Sequence, residues 1–388
     1  MGTIYLDHNA TTPVDPLVLE AMLPYCKGLF GNASSVHEFG RLARKGIDEA
    51  RQKAASLIGA KDVDTIVFTG SGTESDNFAV KGAAEALKSK GNHIITSSIE
   101  HHAVLNTCKF LEKNGFKVTY LPVDKFGIVD LTALKKAITD KTILITIMYA
   151  NNEMGTIEPI QEIARIATDN NILFHTDAVQ AMGKLPVDVS KLGVDMLSLS
   201  AHKIYGPKGV GALYVKKGVK LTPIIHGGHH EKNRRAGTEN VAGIVGFGKA
   251  AELALKNMTQ EIEYIRGLRD RLENGILESI KHTYLNGHPD KRLCNTSNIS
   301  FEFLEGESII LNLDMEGIAV STGSACTSGS LEPSHVLTAM GIDPVRTQGS
   351  LRFSLGKDNT EDDIDCVIKI LPPIIEKLRR MSPLYKEK

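Results

Sequence analysis

Between residues 65 and 215, short apolar, β-branched runs alternate with stretches whose apolar residues recur every three or four positions, and this alternation constrains the fold more than any other feature of the chain. The runs lie at 65–69, 93–97, 117–122, 142–148, 172–176, 196–199 and 211–215. Val80, Ala83, Ala84 and Leu87 repeat with helical spacing between the first two runs, and Leu131, Leu134 and Ile138 between the third and fourth. Strands that alternate with helices predict βαβ units and a mainly parallel sheet buried on both faces.

The pattern changes after about residue 258. A long charged helix is expected over 260–280, followed by strands at 298–303 and 351–355 that read as a smaller α+β domain. A chain of 388 residues exceeds what one core usually supports, which agrees with two parts. No repeat, low-complexity tract or flexible linker separates them, so they are expected to pack as one rigid unit.

Charge and composition narrow the function classes. With 45 basic against 46 acidic residues, no basic excess points to a nucleic-acid or membrane partner. The longest apolar run, residues 143–150, is too short to span a bilayer. MGTIYLDHNATTP at the N-terminus has neither the basic nor the apolar region of a cleaved signal. Five cysteines (Cys26, Cys108, Cys294, Cys326 and Cys366) form no CxxC pair, and their odd number argues against a disulfide framework. A cytoplasmic protein is expected.

Three strand ends carry candidate chemistry. TGSGTESDN at 69–77 joins a strand to a helix through a glycine-rich turn, which leaves main-chain N–H groups free for a phosphate. The same residues also read as plain capping, with Thr73 and Asp76 spaced as a capping box. Neither GxxxxGK[ST] nor GxGxxG is spelled there, so nucleotide and dinucleotide loops are disfavoured. Asp177 follows a second strand, where an acid can neutralise a cationic ring nitrogen or simply cap the next helix. Lys203 follows a third, between Ser200, His202 and a rival lysine, Lys208; spacing does not choose between a reactive amine and a surface lysine. A phosphate cradle, an acid and a lysine together match what pyridoxal phosphate demands.

The histidines at 101–102 and in HGGHH (His226, His229, His230) lack HExxH or Cys/His spacing, so no metal site is expected. Cys326 sits in STGSACTSGS, 321–330, with almost nothing apolar around it. A cysteine kept for packing prefers aliphatic neighbours, so this one is either an incidental loop thiol or a reagent on a mobile arm.

Ten motifs in order carry a resemblance. YLDHNATTP at 5–13, GNASSVH at 31–37, TGSGTESDN at 69–77, EHHAV at 100–104 and NNEMG at 151–155 are followed by HTDAVQ at 175–180, SAHKIYGPKG at 200–209, RRAGTEN at 234–240, SACTSGSLEPSHVL at 324–337 and LRFSLG at 351–356. From end to end the chain resembles a pyridoxal-phosphate-dependent cysteine desulfurase of the NifS/IscS type, in the class V aminotransferase family. The resemblance implies the α/β fold of PLP-dependent transferases (aspartate aminotransferase-like, fold type I), with a mainly parallel sheet in a large domain and a smaller α+β domain. It divides the chain into a large cofactor domain, 15–258, and a small domain, 1–14 plus 259–388, which carries the cysteine loop.

Carried over by position, the resemblance makes Lys203 the Schiff-base lysine, pairs Asp177 with the pyridinium nitrogen and stacks His101 on the ring. Gln180 and Asn152 belong near the phenolic oxygen, and Gly72, Thr73, Ser200 and His202 at the phosphate. Thr238 belongs at the phosphate of the partner in a homodimer. Arg352, helped by Asn32 and Asn152, binds the substrate carboxylate, a bidentate task that suits a planar guanidinium. Cys326 is the nucleophile that takes sulfur from L-cysteine, leaves L-alanine and passes a persulfide to an iron–sulfur scaffold of the IscU/NifU type or another acceptor. No resident metal is expected, although Cys326 is a candidate transient cluster ligand at a partner's surface. Selenocysteine lyase and aminotransferase are the enzymatic rivals; an iron–sulfur scaffold is the non-enzymatic one, disfavoured by five scattered cysteines.

Overall fold

The computed structural model describes residues 3–322 and 333–385. Its largest sheet has seven strands: β2 (Ile66–Thr69), β3 (His93–Ser97), β4 (Lys117–Leu121), β5 (Thr142–Thr146), β6 (Leu173–Asp177), β7 (Met196–Ser200) and β8 (Gly211–Val215). β1 (Ile4–Tyr5) lies outside it. The spatial order is β2-β8-β7-β6-β5-β3-β4, and every pairing is parallel except those of β8, which runs antiparallel to both neighbours. The seven expected runs are these strands, with ends displaced by one or two residues.

Alternation along each strand splits the core in two, because successive side chains leave a strand on opposite faces. Val67, Ile94, Leu144, Met196 and Leu213 pack on one face with Phe78 and Val80 of α3 (Gly72–Leu87) and Val104 of α4 (His102–Lys113). Ile66, Phe68, Ile95, Ile145, Leu197 and Ala212 pack on the other, in one cluster with Val18 of α1 (Pro16–Lys27) and Ala43, Ile47 and Ala50 of α2 (Glu38–Leu57). Both faces being covered explains why these strands read as continuous apolar runs rather than as alternation.

A second core is built on a three-stranded antiparallel sheet, with β10 (Thr296–Phe301) between β9 (Thr283–Asn286) and β12 (Ser350–Ser354). Beside it β1 pairs in parallel with β11 (Ile318–Ala319), which brings Leu6 into this core with Ile299, Phe301, Leu351 and Phe353. The helix expected over 260–280 is the second half of one 39-residue helix, Val241–Ser279. Its first half packs Ile244, Phe247 and Met258 in the large core, and its second half packs Ile265, Leu268 and Leu272 in the small one. Sequence pattern missed this continuity because the helix changes partners, and so its apolar face, midway.

Candidate active site

Ligands of open α/β sheets bind beyond the carboxyl ends of the strands, and there the candidate residues gather. β2 leads through Gly70 and Ser71 into α3, whose N-cap is Ser71, not Thr73: the Ser71 side chain accepts from the Glu74 N–H at 3.1 Å. Glu74 in turn accepts from the Gly70 N–H at 2.7 Å. Gly72 and exposed Thr73 therefore begin the first turn, where main-chain N–H groups have no helical acceptor. A Cβ on Gly72 would meet Cγ2 of Val179 at 2.8 Å and Cβ of Ser200 at 3.4 Å, so the glycine keeps open a cradle between two strand ends. Ser200 closes β7 opposite Gly211, which also faces Thr69 at the end of β2.

Asp177 ends β6, buried, with its carboxylate accepting from the Val179 N–H at 2.9 Å. Burial raises its pKa to about 6, against the opposing pull of the Val179 amide and of Lys203. It is thus an acid that gains by receiving a cationic N–H. Lys203 lies in the short turn after β7, and Nζ donates to the carbonyls of Asn9 and Ala10, the latter at 2.8 Å. Gln180 donates to the same Asn9 carbonyl at 3.0 Å. His202 meets Thr11 Oγ1 at 3.1 Å.

His101 is the N-cap of α4, accepting from the Ala103 N–H at 3.1 Å, and His102 is its first residue, so the pair starts a helix rather than lying on a strand. Burial, reinforced by Lys203, lowers the pKa of His101 to about 4, which leaves the imidazole neutral near pH 7. Glu100 fixes the approach to it: one carboxylate oxygen accepts from Ser97 Oγ at 2.6 Å and from the Met148 N–H at 3.0 Å.

Across the cleft, Arg352 of β12 donates from Nη1 to the Asn152 carbonyl at 3.1 Å and from Nη2 to Asp7 at 2.7 Å. Its main chain is bridged to Ser321. Cys326 lies outside the described residues, but both flanks of 323–332 are tied to the cleft. Ser321 bonds the Arg352 main chain at 2.7 Å, and buried Ser334 donates to Glu153 Oε2 at 2.5 Å.

Two candidates are not drawn in. Asn32 is exposed, with Oδ1 accepting from the Ser34 N–H at 2.9 Å, and no bond to Arg352 joins it among the described residues. Thr238 is exposed on a segment pinned by Arg51–Glu231 at 2.7 Å, Arg235–Glu74 at 2.8 Å and Arg44–Glu239 at 2.7 Å. Asp7, Asn9, Glu100, Glu153 and Ser334 were missed as functional residues. For Asp7 and Asn9 the available signal was a run of polar residues, DHNATT, directly after a β-strand, which is costly to bury without a purpose.

These residues fit pyridoxal phosphate on chemistry alone: an open cradle at Gly72, a buried acid at Asp177, a neutral imidazole at His101 and an amine at Lys203. The comparisons agree. The aminotransferase class-V family model matches residues 4–367. The chain is 58% identical over 384 residues to cysteine desulfurase IscS of Dictyoglomus turgidum, covering 99% of this chain and 97% of that one. It is also 58% identical to cysteine desulfurase IscS of Methanosarcina thermophila, covering 98% and 94%. Among solved structures, a NifS-like protein superposes with a TM-score of 0.92 at 41% identity, covering 97% of this chain and 100% of that chain. A NifS-like protein from Rickettsia africae gives 0.87 at 34% identity over 96% and 99%. The chain belongs to the class-V aminotransferase family of pyridoxal-phosphate enzymes and, within it, to the cysteine desulfurases of the NifS/IscS type.

Proposed function

We propose that the chain takes sulfur from L-cysteine, leaves L-alanine and carries the sulfur as a persulfide on Cys326. The observation that carries this reading is the pair of tethers at Ser321–Arg352 and Ser334–Glu153. In sequence Cys326 follows Ser321 by five residues, a reach of at most about 18 Å of extended chain from a residue bonded to Arg352.

Pyridoxal phosphate joined to Lys203 would have its phosphate held by Gly72, Thr73, Ser200 and His202, its ring nitrogen by Asp177 and its phenolic oxygen by Gln180 and Asn152, with His101 against the ring. When bound, it supplies an electron sink for charge that develops at Cα. Arg352, with Asn32 as helper, grips the substrate carboxylate. The Lys203 amine removes the Cα proton and returns it. A thiol of pKa roughly 8.5 is only a few per cent ionised near pH 7, so Cys326 needs a neighbouring base or cation to reach the thiolate; neutral His101, whose acceptor nitrogen is engaged by the Ala103 N–H, offers its other nitrogen as a donor. The Cys326 thiolate attacks the substrate sulfur, the Cβ–S bond breaks, and its electron pair leaves with the carbon fragment, which takes up protons and becomes alanine. Cys326 sulfur is oxidised to the persulfide as that carbon is reduced.

The same reading includes a homodimer in which Thr238 reaches the partner's phosphate site. Phe30 (70% exposed), Val36 (88%) and Phe39 (48%) support it, an apolar patch suited to a second copy. A scaffold for iron–sulfur clusters is the proposed acceptor and the cytoplasm the proposed location; among the described residues no helix is long and apolar enough to cross a membrane.

The test is mass analysis of alkylated peptides after brief exposure to L-cysteine. A Cys326 peptide one sulfur heavier, with alanine released, is expected. Alanine production with Cys326 unmodified would mean a lyase that releases sulfur directly and would sink the persulfide reading.

A further inference from the structure

We infer that Asn9 is a positioning residue that couples the cofactor lysine to the carboxylate-binding arginine, an inference that rests on the roles proposed above for Lys203 and Arg352. Asn9 is 1% exposed, and all of its polar groups are used. Its carbonyl receives Nζ of Lys203 and Nε2 of Gln180. Its N–H donates to Ser354 Oγ at 2.9 Å. Its Nδ2 donates to the Asn152 carbonyl at 3.1 Å, and that carbonyl also receives Nη1 of Arg352 at 3.1 Å. Two groups of one residue thus link the lysine to the arginine.

The side chain is locked by a closed ring of hydrogen bonds. Asn9 Nδ2 donates to Thr296 Oγ1 at 2.9 Å, Thr296 Oγ1 donates to Asn295 Oδ1 at 3.0 Å, and Asn295 Nδ2 donates to Asn9 Oδ1 at 3.0 Å. Every donor in the ring meets an acceptor, so the amide orientation is determined, and a satisfied buried network is rigid. The contacts of Asn9 as a whole bridge the two cores: Lys203, Gln180 and Asn152 follow strands of the large sheet, whereas Thr296, Ser354 and Arg352 belong to the small one. An amino-acid substrate is gripped at its α-nitrogen from one side and at its carboxylate from the other. Asn9 sets the separation of the two grips. Only an amide serves: aspartate at this position would turn a carboxylate on the Asn152 carbonyl and lose both donors.

The prediction is a joint shift of two quantities measured at opposite ends of the link. One is the rate at which the full-length apoenzyme captures added pyridoxal phosphate, read from the absorbance of the lysine adduct. The other is KM for L-cysteine. Asn9→Ala removes three buried side-chain hydrogen bonds and is expected to slow capture and to raise KM each about tenfold or more. Thr296→Val removes the hydroxyl that joins Asn9 to Asn295 in the same ring, with little change of shape, and is expected to move both quantities the same way by about threefold. The double variant should be no worse than Asn9→Ala alone, because both changes open one ring. Lys203→Ala and Arg352→Ala serve as references. If they fail to abolish capture and to raise KM, the functional reading itself falls. If they behave as expected, the inference is overturned by either variant moving one quantity while the other stays within about twofold, or by additivity in the double variant.

Discussion

Asp7 places a carboxylate oxygen 2.7 Å from Nη2 of Arg352, on a guanidinium side chain that is only 4% exposed. The arginine proposed to hold the substrate carboxylate is therefore already occupied by a carboxylate of the same chain. This solves a storage problem, since a buried guanidinium with no partner is strongly destabilising. It also sets up a competition, because the incoming carboxylate meets the charge of Asp7.

Asp7→Asn should separate the two effects. The asparagine still offers an oxygen to Nη2, but without charge, so the apoenzyme should lose about 1–3 kcal/mol of unfolding free energy. KM for L-cysteine should fall about three- to tenfold as repulsion disappears, with a smaller change in kcat. Denaturant titration of the apoenzyme together with steady-state kinetics checks both. A rise in KM would show that Asp7 orients Arg352 rather than competing for it.

Buried carboxyl groups and histidines give stability a dome in pH. Burial raises Glu100 and Glu158 to about 8. The native state then keeps protons that the unfolded chain has lost above roughly pH 4.3, so these groups stabilise at low pH and that stability drains away as pH rises to about 8. Four histidines act at the other end and outnumber these two acids: burial lowers His8, His101 and His202 to about 4, and His175 lies lower still. It is fully buried and pushed down to about 3, while the unfolded chain binds its proton below roughly pH 6.5, so stability falls as pH drops below that value. Urea titrations of the apoenzyme from pH 4 to 9 should show both limbs. In Glu100→Gln combined with Glu158→Gln, which mimics the protonated acids, the decline above pH 6.5 should flatten. An unchanged slope there would mean that these acids ionise normally.

Part of this site was legible from residue order alone, and the reason is topological. Thr69, Asp177 and Ser200 each end an apolar run, and a parallel sheet brings such ends together whatever lies between. Asn9 and Asp7 were not legible, because their partners Asn295, Thr296 and Arg352 lie almost 300 or more residues away and are brought near only by the pairing of β1 with β11 and the packing of the second core. Glu100 was hidden for a similar reason: its partner, the Met148 N–H, follows a different strand. The cap at Ser71 was misassigned to Thr73 because both begin a plausible box and only the start of the helix decides. Asn32 and Thr238 came from the resemblance rather than from residue order, and both are exposed in this chain.

Gly72 offers a clean test of the cofactor cradle. Alanine is a better helix former than glycine by about 1 kcal/mol in a helix interior, which offsets part of the cost of the close contact with Val179, so Gly72→Ala should lower the melting temperature of the apoenzyme only modestly. Its methyl group, however, would sit 2.8 Å from Val179 Cγ2 and 3.4 Å from Ser200 Cβ, inside the cradle. Affinity for pyridoxal phosphate should therefore fall about tenfold or more, and inorganic phosphate should lose its ability to compete. Undiminished affinity would move the phosphate site elsewhere.

The anchor at Ser334 predicts a loss confined to sulfur transfer. Ser334 is 4% exposed, caps the helix His335–Ala339 by accepting from the Leu337 N–H at 3.2 Å, and donates to the buried Glu153 carboxylate. The helix it starts is held further by His335, whose Nε2 meets the Glu100 carbonyl at 3.1 Å and whose ring lies 4.8 Å from that of His102. Ser334→Ala removes a cap and leaves a buried carboxylate oxygen short of a donor, a cost of about 1–3 kcal/mol. Because that cost falls on the flank of the Cys326 segment and not on Lys203 or Asp177, persulfide formation should slow about tenfold while the absorbance of the bound cofactor stays as in the parent. Ser334→Thr keeps the hydroxyl and should restore the rate. Rapid-quench mass analysis of the Cys326 peptide, run beside the absorbance spectrum, distinguishes the outcomes: a parallel loss of cofactor would mean that Ser334 supports the whole cleft, and an unchanged rate would mean that the Ser321 tether alone suffices.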